Sequence, residues 1–233
     1  MTIEFERLGL GESLVPYREA WDYQIRLHDA VAADEETPRI LLLEHEAVYT
    51  AGRRTEDEQL PQDGTPVVEV DRGGQLTWHG PGQLIGYPIV KLKKINAIRL
   101  YVETLEEALM NVLAELGIRT VQIKGRSGVW VPGNGVQQDR KIAAIGIRIN
   151  HGVTMHGFAL NCSNSLEPYE QIIACGITDA GVTSISHELG RTVNPVDVAD
   201  RVQEELDRLL TPQVVTSLPS LKTFLLPQKE QYT

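Results

Sequence analysis

Apolar positions recur along this chain with two different periods. From Ser13 to Ala32, a proline stands in the first turn at Pro16, and Tyr17, Trp21, Ile25, His28 and Val31 share one face at helical spacing. That pattern predicts an amphipathic helix. A second helix is predicted from Asn96, its cap, through Ile98, Val102, Leu105, Leu109, Val112 and Leu116 to the stop at Gly117. A third begins with Asn194 as cap and Pro195 in the first helical position, and directs Val198, Val202, Leu206 and Leu209 inward. Between the helices the period shortens. "RILLLEHEAVYT" (Arg39 to Thr50), "PVVEVD" (Pro66 to Asp71), "RTVQIK" (Arg119 to Lys124), "GVWV" (Gly128 to Val131), "IAAIGIRI" (Ile142 to Ile149) and "VTMHGFALN" (Val153 to Asn161) read as strands. The last two are joined by "NHG", whose residues tolerate positive φ, so a hairpin is expected. Hairpins between helices, with no repeat and no convincing linker, predict a single mixed α/β (α+β) domain with a mixed sheet flanked by helices. After Leu210 the pattern fades into a proline-containing tail, so residues 1–210 are expected to form the domain and 211–233 a tail along it.

Composition narrows the function classes. The formal charge is -10, from 32 acidic and 22 basic side chains, a field that repels nucleic acid and anionic membrane surfaces. The first residues carry neither a basic start nor an apolar core of a signal peptide, which predicts a soluble, cytoplasmic protein. Cys162 and Cys175 lack metal-site or redox-pair spacing and are expected to stay as thiols, with no metal bound.

Three features carry possible chemistry. "RGGQLTWHGPGQLIGYPI", Arg72 to Ile89, holds five glycines in 18 residues, a density that marks either a hairpin turning at "HGPG" or backbone approaching a ligand closely. Its "GPGQLIG" misses the dinucleotide pattern by one residue, and no phosphate-loop motif occurs, so nothing signals ATP. Lys141 stands at the mouth of the small-residue run "IAAIG": either a solvated strand end or a buried ammonium that needs a partner or a lowered pKa. Cys175, in "QIIACGI", is either a small core residue or a nucleophile whose thiolate a nearby ammonium would favour. Among the histidines only His79, beside the glycine turn, reads as close to a site, where it could serve a Cys-His hydrolase as base. His28 and His187 fall on helical segments, His45 carries no partner signal, and His151 and His156 are spaced against a shared metal.

Together these segments resemble the octanoyltransferases, or lipoyl(octanoyl) transferases, of lipoate biosynthesis. The resemblance covers nearly the whole chain and rests on "LLLEHEAVYTAGRR", "DRGGQLTWHGPGQLIGYPIV", "KIAAIGIRI", "VTMHGFALN" and "IIACGI", in the family's order and spacing. It implies the fold of the lipoate-protein and biotin-protein ligase catalytic modules. It also implies a dyad of Cys175, the acyl acceptor, and Lys141, and no cofactor. Acyl-substrate contacts would fall at Arg72, Gly73, Gly74, Gln75, Leu76, Thr77, Trp78 and His79, at Ala144, Ile145 and Gly146, and at Gly157, Phe158 and Ala159. The implied donor is octanoyl-acyl carrier protein, and the implied acceptors are lipoyl domains of 2-oxoacid dehydrogenase complexes and the glycine cleavage H protein. An ATP-dependent lipoate- or biotin-type protein ligase is the alternative. A basic face for the acidic carrier is expected at Lys91 to Arg99 with Arg53, Arg54 and Arg148.

Overall fold

The computed structural model describes residues 3–61, 63–94, 98–172 and 179–215. Seven strands form the main sheet in the order β1 (Glu4–Leu8), β2 (Arg39–Leu43), β6 (Gln83–Ile89), β10 (Val153–Asn161), β9 (Arg140–Asn150), β8 (Arg126–Val131) and β7 (Val121–Ile123). Only β1 and β2 run parallel along this path; the other neighbours are antiparallel. A short strand, β11 (Gly181–Val182), pairs in parallel with Arg140 and Lys141, where β10 no longer covers β9. A smaller sheet of β4 (Val67–Glu69), β3 (Val48–Ala51) and β5 (Thr77–His79) packs beside it.

Alternation along β2 shows how the layers are assembled. Ile40 and Leu42 enter the core with helices α2 (Ile98–Glu115), α3 (Ile185–Leu189) and α4 (Pro195–Leu210), while Leu41 and Leu43 pack with α1 (Tyr17–Ala32). Both faces of the strand are thus buried from Ile40 onward, which is why "ILLL" is continuously apolar. The cap expected for α4 is present: the Asn194 side chain accepts from the third helical residue, and the Asn194 N–H donates to Asp197 Oδ2 at 2.7 Å. Such a reciprocal cap contributes on the order of 1 kcal/mol. The expected hairpin also forms. His151 and Gly152 have φ of 50° and 76°, the two left-handed positions of a tight turn that matches strand twist.

Several expectations are corrected. Helix α1 starts at Tyr17, with Pro16 as its cap; Tyr17, His28 and Val31 of the expected face are buried, but the stripe also takes in Ala20, Gln24 and Leu27, and Ile25 is exposed. "RILLLEHEAVYT" breaks at Glu44, and its halves enter different sheets. The "HGPG" turn does not close a hairpin, because β5 pairs with β3 while β6 lies between β2 and β10. His151 occupies a turn, so strand alternation does not govern it. Asn96, Cys175 and residues 216–233 of the tail lie outside the described residues. The tail's first residues turn back along the domain, where Val214 is buried and the Val215 N–H donates to the Lys91 carbonyl at 2.8 Å. No helix among the described residues is long and apolar enough to cross a membrane.

Candidate active site

Lys141 is buried, at 8% exposure, which removes the solvated-end reading. It sits where β8, β9 and β11 meet, with Trp130 across on one side and Val182 on the other. Its ammonium lies 4.7 Å from the centroid of the Trp130 ring, and among the described residues no carboxylate lies within ion-pair distance. A desolvated contact of this kind is worth about 2 kcal/mol, enough to hold the amine without locking it to an anion. Two cavities share this lysine. One, of about 540 Å³, runs along β9 and β10 and is lined by Ala144, Ile145, Gly146, Gly157, Phe158 and Ala159 together with Arg72, Gly73, Gly74, Gln75, Thr77 and His79. The other, of about 350 Å³, is lined by Trp130, Leu166, Tyr169, Ile172, Ala180 and Val182 among others. Both volumes suit a small ligand.

The glycine-rich loop is held from within by Arg72. This guanidinium is 6% exposed and donates to the carbonyls of Gly73 (3.1 Å), Gln75 (2.8 Å) and Thr50 (2.6 Å) and to Thr50 Oγ1 (2.8 Å). Its planar fork reaches acceptors on two segments at once, which an ammonium could not do. Glycine at 146 makes the room: a Cβ there would stand 3.1 Å from Arg72 Cδ and 3.3 Å from the Gly73 carbonyl oxygen. The Gly73 N–H in turn donates to the Ile147 carbonyl at 3.1 Å and ties the loop to β9.

Behind the loop lies a buried polar network. His79 donates from Nδ1 to Gln83 Oε1 at 2.9 Å and accepts the Thr50 hydroxyl at Nε2 at 3.3 Å. Burial, reinforced by His45, pushes its pKa down to about 3. With both nitrogens engaged, His79 has no lone pair left for a thiol, which counts against the alternative role of hydrolase base. His45, which carries no signal in the sequence, is fully buried between the Val15 carbonyl and the Tyr87 hydroxyl, each 2.7 Å away, and burial lowers its pKa to about 4. Tyr17, its pKa pushed up to about 12 by burial, stacks on His79 at the cavity wall.

His156 is the residue that sequence reasoning missed most clearly. It is 2% exposed, lines the larger cavity, and holds φ of 57° in the middle of β10. Its Nε2 lies 2.9 Å from Asp71 Oδ1, and its backbone N–H donates to Gln24 Oε1 at 3.0 Å. Burial lowers its pKa, outweighing Asp71, so the imidazole is neutral, and the bond to the carboxylate places its proton on Nε2. Asp71 is held below its ordinary range first by that bond and further by Arg148 and Arg53. Strain at a non-glycine residue was the available signal, and only coordinates reveal it.

Of the residues implied by the resemblance, Leu76 and Trp78 do not line the larger cavity; they pack with Tyr49 and Ala51, and Trp78 meets the Tyr169 ring edge-on. Cys162 is a fully buried core thiol with its pKa pushed up to about 12 by burial. Nothing is described at Cys175, but Ile172 and Ala180, on either side of the undescribed 173–178, line the smaller cavity with Lys141. Part of the expected basic face is paired, while Arg53, Arg54 and Lys94 are exposed. Lys91 pairs with Asp34, Arg99 with Glu103 and Arg148 with Asp71, while Lys93 donates to the Pro212 carbonyl. Arg54, exposed and lining the larger cavity, is the basic side chain of that set placed at the opening.

The helix-flanked mixed sheet is the fold of lipoate- and biotin-protein ligases of known structure. A chain from the structure of the bipartite lipoate protein ligase and E2 lipoyl domain of Thermoplasma acidophilum superposes with a TM-score of 0.66 at 14% identity, over 91% of this chain and 84% of that one. Biotin protein ligase from Leishmania major in complex with biotinyl-5-AMP gives 0.54 at 13% identity, over 91% and 76%. At these identities the likeness establishes the fold alone. The lipoyl protein ligase A/B catalytic domain family matches residues 16–207. The octanoyltransferase of Arthrobacter sp. (strain FB24) is 62% identical over 205 residues, 88% of this chain and 92% of that protein, and that of Paenarthrobacter aurescens (strain TC1) is 59% identical over 208 residues, 89% and 94%. The chain belongs to the lipoyl protein ligase A/B catalytic domain family and, within it, to the octanoyltransferases, and it is an acyltransferase.

Proposed function

We propose that this protein transfers an octanoyl group from octanoyl-acyl carrier protein to a lysine of a lipoyl domain through a thioester on Cys175. The acceptors are the lipoyl domains of 2-oxoacid dehydrogenase complexes and the H protein of glycine cleavage. Residues 1–210 form the catalytic unit, which works in the cytoplasm without a cofactor. The observation that carries the reading is the position of Lys141, shared by the larger cavity and by the smaller one that the flanks of the Cys175 segment line.

The chemistry follows from that position. An ammonium near a thiol favours the thiolate, which is the nucleophilic form. The Cys175 sulfur bonds to the donor's carbonyl carbon, the donor's C–S bond breaks, and the departing thiolate takes the proton Lys141 supplies. In the second half the acceptor amine forms the C–N bond, Cys175 leaves as thiolate, and Lys141 removes the proton from nitrogen. Thioester exchange is nearly balanced and amide formation is downhill, so no nucleotide is required. Small residues at Ala144, Gly146, Gly157 and Ala159 leave room for hydrocarbon, and Arg54 at the opening offers the acidic carrier a point of attraction.

The test supplies octanoyl-carrier protein and a lipoyl domain without ATP, beside octanoate with ATP. Transfer from the carrier alone, lost in Cys175→Ser, is the expected result. Amide formation that needs ATP and survives Cys175→Ser would select the ligase chemistry instead.

A further inference from the structure

Under the sheet lies a carboxylate that the transfer chemistry does not use. Glu106, on the inner face of α2, is 6% exposed; burial raises its pKa, and Glu103, one helical turn earlier, adds to the effect. Against this stand the Gly128 N–H, the charge of Lys141 and the Gln122 side chain. Acidic side chains are seldom buried without a counter-charge or a set of donors to answer them. Of the cations around Glu106, Lys141 has the strongest hold on it.

Gly128 joins the two residues. Its N–H donates to Glu106 Oε1 at 2.8 Å, and a Cβ on it would stand 3.3 Å from Lys141 Cε and 2.4 Å from the Ala143 carbonyl oxygen. With φ of 124° as well, the position suits glycine alone. The strand is irregular here on both edges. Arg126 faces Ile123 and Trp130 faces Val121, so Ser127, Gly128 and Val129 lie between these pairs where β7 supplies only Gln122. On the other edge Val129 pairs with Ala143 and Trp130 with Lys141, which leaves Ile142 between. A bulge of this kind frees an N–H from the ladder and re-aims the side chains around it. Here the freed donor turns to Glu106, and the Lys141 stem passes Gly128 to bring its ammonium over the Trp130 ring.

We propose that Glu106 is the positioning residue of Lys141: its carboxylate pins the Gly128 bulge beside the lysine stem, and its negative charge favours the ammonium held over Trp130. Glu106 lines neither cavity, so it acts only through the lysine. The catalytic consequence rests on the octanoyl-transfer reading, in which that ammonium favours the Cys175 thiolate and supplies a proton to the departing one. Of the other charged groups on the two cavities, Arg54, Arg126 and Glu170 are open to solvent and screened by it, and Arg72 is engaged with the loop carbonyls, while His79 and His156 are neutral.

Titration and transfer are measured separately, so that the two readings fail separately. Glu106→Gln keeps an oxygen for the Gly128 N–H and removes the charge. In full-length protein labelled with 13C at lysine Cε and glutamate Cδ, the resonances missing from Lys141→Met and from Glu106→Gln identify the two groups, and each is then followed in the other's variant. Without the Glu106 charge, Lys141 should release its proton at a pH about one unit lower. Without the Lys141 charge, Glu106 should take up its proton at a pH higher by about as much, because coupling is reciprocal. Glu103→Gln, which removes a charge paired with Arg99, should move the lysine less than half as far. Neither titration moving by more than about 0.2 unit, or Glu103→Gln moving the lysine as far as Glu106→Gln does, overturns the proposal. In transfer from octanoyl-carrier protein, the alkaline limb of the Glu106→Gln profile should fall to lower pH by the same amount, with KM for the carrier unchanged; a structural defect would lower the rate alike at every pH. An alkaline limb that stays in place while the titrations move overturns the catalytic role. Coupled titrations without any octanoyl transfer would leave Glu106 as the partner of Lys141 and remove the transfer reading.

Discussion

Acid should destabilise this fold well above the range in which carboxylates titrate. His45 and His79 are buried and neutral, with pKa values lowered from 6.5 to about 4 and about 3, chiefly by burial. In the unfolded chain both bind protons near 6.5; in the folded protein neither does until far lower pH. Between those values the unfolded state holds more protons, so stability is complete above 6.5 and declines as pH falls. Integrating each histidine from pH 7.5 to 5.0 gives a loss of about 2 kcal/mol, or about 4 kcal/mol for the pair. That is a large share of the roughly 5–15 kcal/mol that holds a domain folded. His156, also lowered, acts in the same direction, while Glu106, raised by burial, acts in the opposite one. The assay is urea unfolding at half-unit pH steps, with His45→Gln as the control that should remove about half of the slope whatever its absolute stability. Stability at pH 5.0 within 1 kcal/mol of that at pH 7.5 would refute the reasoning.

Three further perturbations probe other parts of the account. Arg72→Lys retains the charge but not the fork that reaches four acceptors; losing two or more of these bonds should lower unfolding free energy by about 2–4 kcal/mol, and a change under 0.5 kcal/mol would show that the loop does not depend on it. In Gly86→Ala the new methyl would stand 2.1 Å from Phe158 Cζ, so about 1–3 kcal/mol should be lost and octanoic acid should bind more weakly, both partly restored by adding Phe158→Leu. For carrier docking, Arg54→Glu should raise KM for octanoyl-carrier protein at low salt more than Lys93→Glu or Lys94→Glu does; the reverse order would return the docking face to the lysine run.

Periodicity made most of the elements legible, because helices α2 and α4 and the β9–β10 hairpin each carry their signal locally, in stripe, cap or turn. It misjudged "HGPG" because a glycine-rich turn does not say which sheets its flanks join, and that depends on pairing with β3, β2 and β10. Lys141 was visible as an oddity, but its burial depends on Trp130 and on β11, 41 residues further along the chain at Val182. The polar wall of the larger cavity was hidden for the same reason: Asp71, His156 and Tyr17 come from three separate segments, and none has a neighbour in sequence that announces its partner. The partners of the lysine run were equally hidden, since Asp34, Glu103 and Pro212, which engage Lys91, Arg99 and Lys93, lie elsewhere in the chain or a helical turn away.

The most direct test of the account is the intact mass of the protein after brief exposure to octanoyl-carrier protein, with Cys175→Ser and Lys141→Met alongside. The account predicts a gain of one octanoyl group on wild type, mapped to Cys175, nearly absent in both variants and discharged by a lipoyl domain. A wild type that octanoylates the lipoyl domain while never carrying the adduct, or a Lys141→Met variant that acquires it at the wild-type rate, would contradict it.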